Sequence, residues 1–220
     1  NDPVAITQQT VDFFSQATNN KLTYNVVATT VVNDWPELVD GFKYNESQYL
    51  AVLANSNLHH EPTGVNYNKI ITAPEFDICG KLNRGEIDEL WMWGGPWFGY
   101  YESRLVGPGA YPYNSPPIDG VHNCNRIMPV MGPSYERTVN EAVHNFTHRT
   151  EDTMKKVYGS WQQNSISHNW NKFGLVKSQS PSFSYGGCGS SHYPANGMAA
   201  YDYSNPASVL SNCDDFANYP

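Results

Sequence analysis

The chain has 220 residues and a net charge of −8; charged residues make up only 15%, while tyrosines number 15 and tryptophans 6. An acidic chain whose longest basic run is Lys155-Lys156 lacks the electrostatic footprint of a protein that grips nucleic acid or an anionic membrane. No apolar stretch approaches the ~20 residues that cross a bilayer, so membrane insertion is not expected either. The length suits a single domain over residues 1–220, with a hydrophobic core to about residue 160 and an irregular Ser/Asn/Gly/Tyr-rich cap after it.

In chain order, Asp2 is a natural N-cap and Pro3 a natural first helical residue, so a helix is expected over residues 4–18. Leu22 to Val32 is β-branched and alternating, which reads as a strand. Gln48 to Leu53 suits a strand or a short helix, and a polar loop containing His59 and His60 follows, to about residue 68. Pro74-Glu75 opens a short helix running to about Leu82, which Gly85 breaks. Ile87 to Trp93 and Arg126 to Met131 are short apolar strands, separated by a Gly/Pro/aromatic loop from Gly94 to Asn125 that is too long for a mere connection. The clearest helix runs from about Ser134 to Tyr158, acidic at its start, basic at its end and followed by Gly159. Beyond it only Phe173 to Lys177 looks strand-like. The fold class this implies is α/β: a small sheet with flanking helices, one long amphipathic helix over about 134–158, and a disulfide-tied C-terminal cap.

Four cysteines, Cys79, Cys124, Cys188 and Cys213, form no C-x-x-C pair and allow three disulfide pairings. Cys79–Cys124 and Cys188–Cys213 are favoured, because each ties together segments otherwise loosely held. Two glycan acceptor sequences are present, Asn45-Glu46-Ser47 and Asn145-Phe146-Thr147. Paired cysteines, acceptor sequences and low charge together point to an extracellular glycoprotein, secreted or at the cell surface.

The long helix carries His144 and His148 four residues apart, so both rings leave one side of it. Tyr135, Val139, Ala142, Val143, Phe146, Met154 and Val157 form an apolar stripe roughly opposite the histidines, which share their side with Glu141 and Glu151. The pentapeptide His144-Asn145-Phe146-Thr147-His148 resembles the zincin metallopeptidase signature over those five residues, with Asn145 where that signature has its catalytic Glu. A zinc site would take His144 and His148 as ligands and His192 as a third, with Asp202 or Glu102 as substitutes and Glu141 or Glu151 as base or orienting partner. The competing reading is a solvent-facing polar side laced with i,i+4 charge pairs, on which Asn145 bears a glycan.

The segment from Asp88 to Tyr113 concentrates aromatic rings after a strand, and Trp97, Tyr100 and Glu102 are candidates for glycan binding there. Ser190 and Ser191 precede His192 without the G-x-S-x-G elbow of a serine hydrolase. The leading functional expectation is a structural or self-assembling role. Partners would be further copies of the chain, through the edge of Leu22 to Val32, or extracellular glycans. A zinc-dependent hydrolase and a carbohydrate-active module are the alternatives.

Overall fold

In the computed structural model, which describes residues 1–213, Asp2 caps α1 (Pro3–Ala17) by accepting the Val4 N–H at 2.9 Å. The helix buries Ile6, Val11 and Phe14. The expected strand Leu22 to Val32 is not one: among the described residues this segment makes no ladder, and Val26, Val27, Val31 and Val32 are exposed. Tyr24 anchors it against Phe14, Trp91 and Phe146, and the Leu22 N–H donates to the Thr18 hydroxyl at 2.9 Å. Alternation and β-branching describe a chain fit for a sheet, but a strand also needs a neighbour, and the sheet forms elsewhere.

The ambiguity at Gln48 to Leu53 resolves as helix, α2 (Glu46–Ala54). Asn45 and Gln48 settle it through a capping box, each side chain accepting the other's backbone N–H. Two short helices follow, α3 (Tyr67–Ile71) and α4 (Ile78–Asn83). The sheet has three strands, β1 (Leu90–Trp91), β2 (Ser103–Val106) and β3 (Met128–Met131), in the order β1-β3-β2. β1 runs parallel to β3 with Leu90 opposite Val130, and β2 antiparallel with Ser103 opposite Met131. Strand β2 lies inside the aromatic-glycine loop, where Arg104 interrupts the apolar pattern that marks the other two. Its guanidinium bonds to the carbonyls of Pro116 and Pro117 at 2.7 Å.

The long helix is α5 (Val139–Tyr158), and α6 (Asn169–Phe173) follows. Phe173 to Lys177 is not a strand, because Phe173 closes α6 and Lys177 opens a single 3₁₀ turn. Both favoured disulfides are present, Cys79–Cys124 and Cys188–Cys213. The fold is thus α/β with a small sheet, as the sequence indicates.

The chain divides into two compact units, residues 1–146 and 147–220, within α5 and so before the expected core-to-cap boundary. In the first, Leu82, Val106, Met128 and Val130 pack with the Cys79–Cys124 bridge, while Phe14, Met131 and Phe146 form a second cluster. In the second, Leu175, Val176 and Trp170 are buried, and Cys188–Cys213 ties the loop after residue 186. The expected cap beyond residue 213 lies outside the described residues. Among the described residues no helix is long and apolar enough to cross a membrane.

Candidate metal centre and aromatic pocket

Helix α5 departs from simple amphipathicity. Ala142 and Phe146 are buried as the stripe requires, yet Val157 at its far end is 68% exposed. The opposite side is covered: Asn145 is 2% exposed, His148 9% and Glu151 9%. The solvent-facing reading of this side is therefore corrected at these positions. Asn145 has no room for a glycan in this fold. Asn45, at the exposed N-cap of α2, has.

Covered polar groups must be satisfied, and here they bond to one another. His148 Nδ1 lies 3.0 Å from Glu151 Oε2, three residues along the helix. Glu151 Oε1 accepts the Ser191 N–H at 2.9 Å and also the Ser191 hydroxyl. Burial alone would raise the Glu151 pKa, but the bonds from His148 and Ser191 outweigh it and hold the carboxyl below its usual range. His192, the next residue in the loop, sets its ring edge-to-face on His148 at 4.5 Å between centroids. Tyr201 holds His192 at both ends: its hydroxyl is 2.9 Å from Nε2, and its N–H donates to the His192 carbonyl at 2.6 Å. The Tyr203 hydroxyl donates to the carbonyl of Ser191.

His144 sits one turn before His148 on the same helix. One ring nitrogen from each of His144, His148 and His192 lies within 4.8 Å of the other two. Tetrahedral zinc with Zn–N bonds of ~2.0–2.1 Å sets its nitrogens ~3.3 Å apart. The separations therefore need to shrink by no more than about 1.5 Å for the three rings to close on an ion. Glu151 is placed as a carboxylate behind a metal-ligating histidine is: by accepting from Nδ1 it fixes the tautomer that presents Nε2. The other suggested third ligands are elsewhere. Asp202 is engaged in a turn, accepting from Met198 N at 2.9 Å and Asn205 Nδ2 at 2.8 Å, and Glu102 accepts from the Asn114 amide.

The same geometry does not make a serine relay of Ser191, His148 and Glu151. A Ser-His-acid relay needs serine and acid on opposite ring nitrogens. Here Ser191 Oγ, at 3.4 Å, and Glu151 both approach Nδ1 of His148, and the serine hydroxyl donates to the carboxylate. Glu151 was visible in the sequence at i+3 from His148. Ser191, Tyr201 and Tyr203 carried no signal for their roles, which arise only when the 190s loop meets α5.

A separate pocket of about 290 Å³ belongs to the first unit. It unites the three aromatic-loop candidates, Trp97, Tyr100 and Glu102, and adds Glu136, Arg137, Glu141 and Asn145. Its glycines are obligatory where rings come close: a Cβ on Gly94 would lie 2.6 Å from the Tyr100 ring, and one on Gly95 would strike the hydroxyls of Tyr49 and Tyr135. Burial pushes the Tyr100 phenol up to about 12. Trp97 stacks on His59 with centroids 4.7 Å apart and planes 16° from parallel. His60 is outside the lining, bonded to Asp40 at 2.6 Å and stacked on Phe42.

No protein-family model, curated protein or solved structure matches this chain. The geometry of its own residues carries the functional reading.

Proposed function

We propose that the protein is an extracellular zinc-dependent hydrolase whose metal ligands are His144, His148 and His192. The observation that carries this is the convergence of three imidazole nitrogens within 4.8 Å, backed by Glu151 on the far nitrogen of one of them. Three histidines leave a coordination position for water, unlike the four protein ligands of a structural zinc site. Held by these residues, a zinc ion would supply a bound water with a pKa of about 7, and so hydroxide without a neighbouring carboxylate. An Asn at position 145 is therefore compatible with hydrolysis, although it departs from the zincin pattern. Glu151 holds His148 in its ligating tautomer, and Tyr201 orients His192. Two disulfides support an oxidising, extracellular setting, and the exposed acceptor sequence at Asn45 agrees with it.

The test is hydrolysis of a panel of chromogenic esters, phosphates and peptides by zinc-loaded, chelator-treated and His148→Ala protein. Turnover of a panel member that needs both zinc and His148 supports the reading. Turnover indifferent to both, or none across the panel by a zinc-loaded chain, sinks it.

One observation favours self-assembly as a second reading. Among the described residues no strand pairs with residues 25–33, and Val26, Val27, Val31 and Val32 are exposed, Val31 at 84%. Such a segment is free to pair with the same segment of another copy. A strictly monomeric mass by sedimentation at high concentration would eliminate it.

A further inference from the structure

The two disulfides sit in different surroundings. Cys79 and Cys124 are 2% and 4% exposed, packed inside the larger hydrophobic cluster of the first unit. Cys188 and Cys213, in the second unit, are only half-buried. Exchange requires a thiolate to approach a sulfur directly, so a dissolved thiol reaches the second bridge far more readily than the first.

The loop that Cys188–Cys213 closes carries partners of the histidine cluster. Ser191, whose N–H and hydroxyl bond to Glu151, lies within it, and so does His192, whose ring rests on His148. Tyr201, bonded to His192, and Tyr203, bonded to the Ser191 carbonyl, lie within it too. The near end of the loop is tied by its backbone as well: the Gly187 N–H donates to the Leu175 carbonyl at 2.8 Å and the Cys188 N–H to the Phe173 carbonyl at 2.7 Å. At the far end Leu210 and Ser211 are exposed. That end meets residues 186 and 187 through the Gly186 N–H to the Leu210 carbonyl at 2.8 Å, the Asn212 N–H to the Gly186 carbonyl at 3.1 Å and the Ser211 hydroxyl to the Gly187 carbonyl at 2.7 Å. Hydrogen bonds at a surface compete with water and contribute little each, whereas a covalent tie does not fray. The closed loop also holds Tyr201 at φ +62°, a left-handed backbone that bulky residues keep only while their surroundings impose it.

We propose that Cys188–Cys213 is a redox switch on the histidine cluster: its reduction by an external dithiol, with Cys79–Cys124 intact, frees the loop and withdraws Ser191 and His192 from Glu151 and His148. A thiolate of the dithiol attacks one sulfur of the bridge, and the other sulfur leaves as a thiolate and takes up a proton. The second thiol of the reductant then closes on the mixed disulfide. Two electrons and two protons end on Cys188 and Cys213, and the reductant becomes a cyclic disulfide. The effect on metal binding rests on the zinc reading, since apparent affinity falls with the fraction of chains that keep the loop docked. The release of the loop does not rest on it.

The test begins with graded reduction of the full chain by dithiothreitol, followed by alkylation and peptide mass spectrometry. Cys188 and Cys213 should be labelled before Cys79 and Cys124. Hydrogen exchange on the chelator-treated chain then reads the loop without metal. The amides of Ser191 and Tyr201, bonded to Glu151 and to the His192 carbonyl, should exchange about tenfold faster or more once the bridge is reduced, while those of β2 and β3 keep their protection. A Cys188→Ser, Cys213→Ser double variant should behave as the reduced chain does. Zinc affinity, by competition with a chromophoric chelator, should fall about tenfold or more in both, and the double variant has no thiol there to bind the ion instead. Both bridges opening together, loop amides unchanged by reduction, or zinc held equally tightly by oxidised and reduced chains would each overturn the proposal. An oxidised chain that binds no zinc, yet loses loop protection on reduction, would support the switch and remove the metal reading alone.

Discussion

Glu151→Gln separates a metal centre from a mere knot of hydrogen bonds. The carboxylate accepts on one oxygen from His148 Nδ1 at 3.0 Å, and on the other from the Ser191 N–H at 2.9 Å and from the Ser191 hydroxyl. Glutamine cannot keep all of these. If its oxygen faces Ser191, its amide donates to His148 Nδ1; the ring proton then sits on Nε2, and that nitrogen cannot ligate. If its oxygen faces His148, the amide N–H₂ is set against the backbone donor of Ser191. The first keeps a bond at every site and changes only the tautomer; the second gives up the Ser191 N–H bond to a charged group, about 1.5–3 kcal/mol. Loss of an orienting partner behind a ligating histidine typically lowers metal affinity ~10–100-fold, about 1.4–2.7 kcal/mol. Zinc affinity in competition with a chromophoric chelator should therefore fall by that factor. A variant that holds zinc as tightly as the parent would refute the reasoning, leaving Glu151 a purely structural group.

The remaining predictions concern glycosylation, backbone strain and a titrating ring. Peptide mass spectrometry of protein from a glycosylating host should find a glycan on Asn45 and none on Asn145; an occupied Asn145 would mean that this side of α5 is open. Gly99→Ala should destabilise by more than ~1 kcal/mol in chemical denaturation, because φ is +79° and the new Cβ would lie against the Thr63 carbonyl and 2.6 Å from the Val65 nitrogen; a wild-type denaturation midpoint would contradict this. His59 should titrate above the ordinary 6.5 by NMR, held up first by its bond to the Ser56 carbonyl and then by Glu61. A pKa raised in the folded state adds stability that is full below 6.5 and is lost as pH rises through the higher value, and Glu61→Gln should move the midpoint down.

Much of the fold could be read from local signals. Asp2-Pro3 marks the start of α1, and the acidic start, basic end and Gly159 mark α5, because caps and end charges act within a single turn. The disulfide pairing followed from which segments lacked other ties. Strand identity fared worse. Leu22 to Val32 has the composition of a strand but makes no ladder among the described residues, whereas β2 hides in a glycine-rich loop and exists because β3 bonds along it. The site divides in the same way. His144, His148 and Glu151 are legible from helical spacing, and His192 was named as a third ligand from its histidine alone. That it belongs with them depends on the packing of a loop some 40 residues away from Glu151, which no local pattern encodes. The covering of Asn145 is likewise tertiary, and it turned an apparent glycan acceptor into a lining residue of a pocket.

The most direct test of the account is the metal content of the purified chain, measured by elemental analysis after zinc loading and exchange into metal-free buffer. About one zinc per chain is predicted, with His148→Ala and His192→Ala each retaining almost none. A wild-type chain that emerges empty, or variants that retain as much zinc as the parent, would contradict the metal centre on which the proposed function rests.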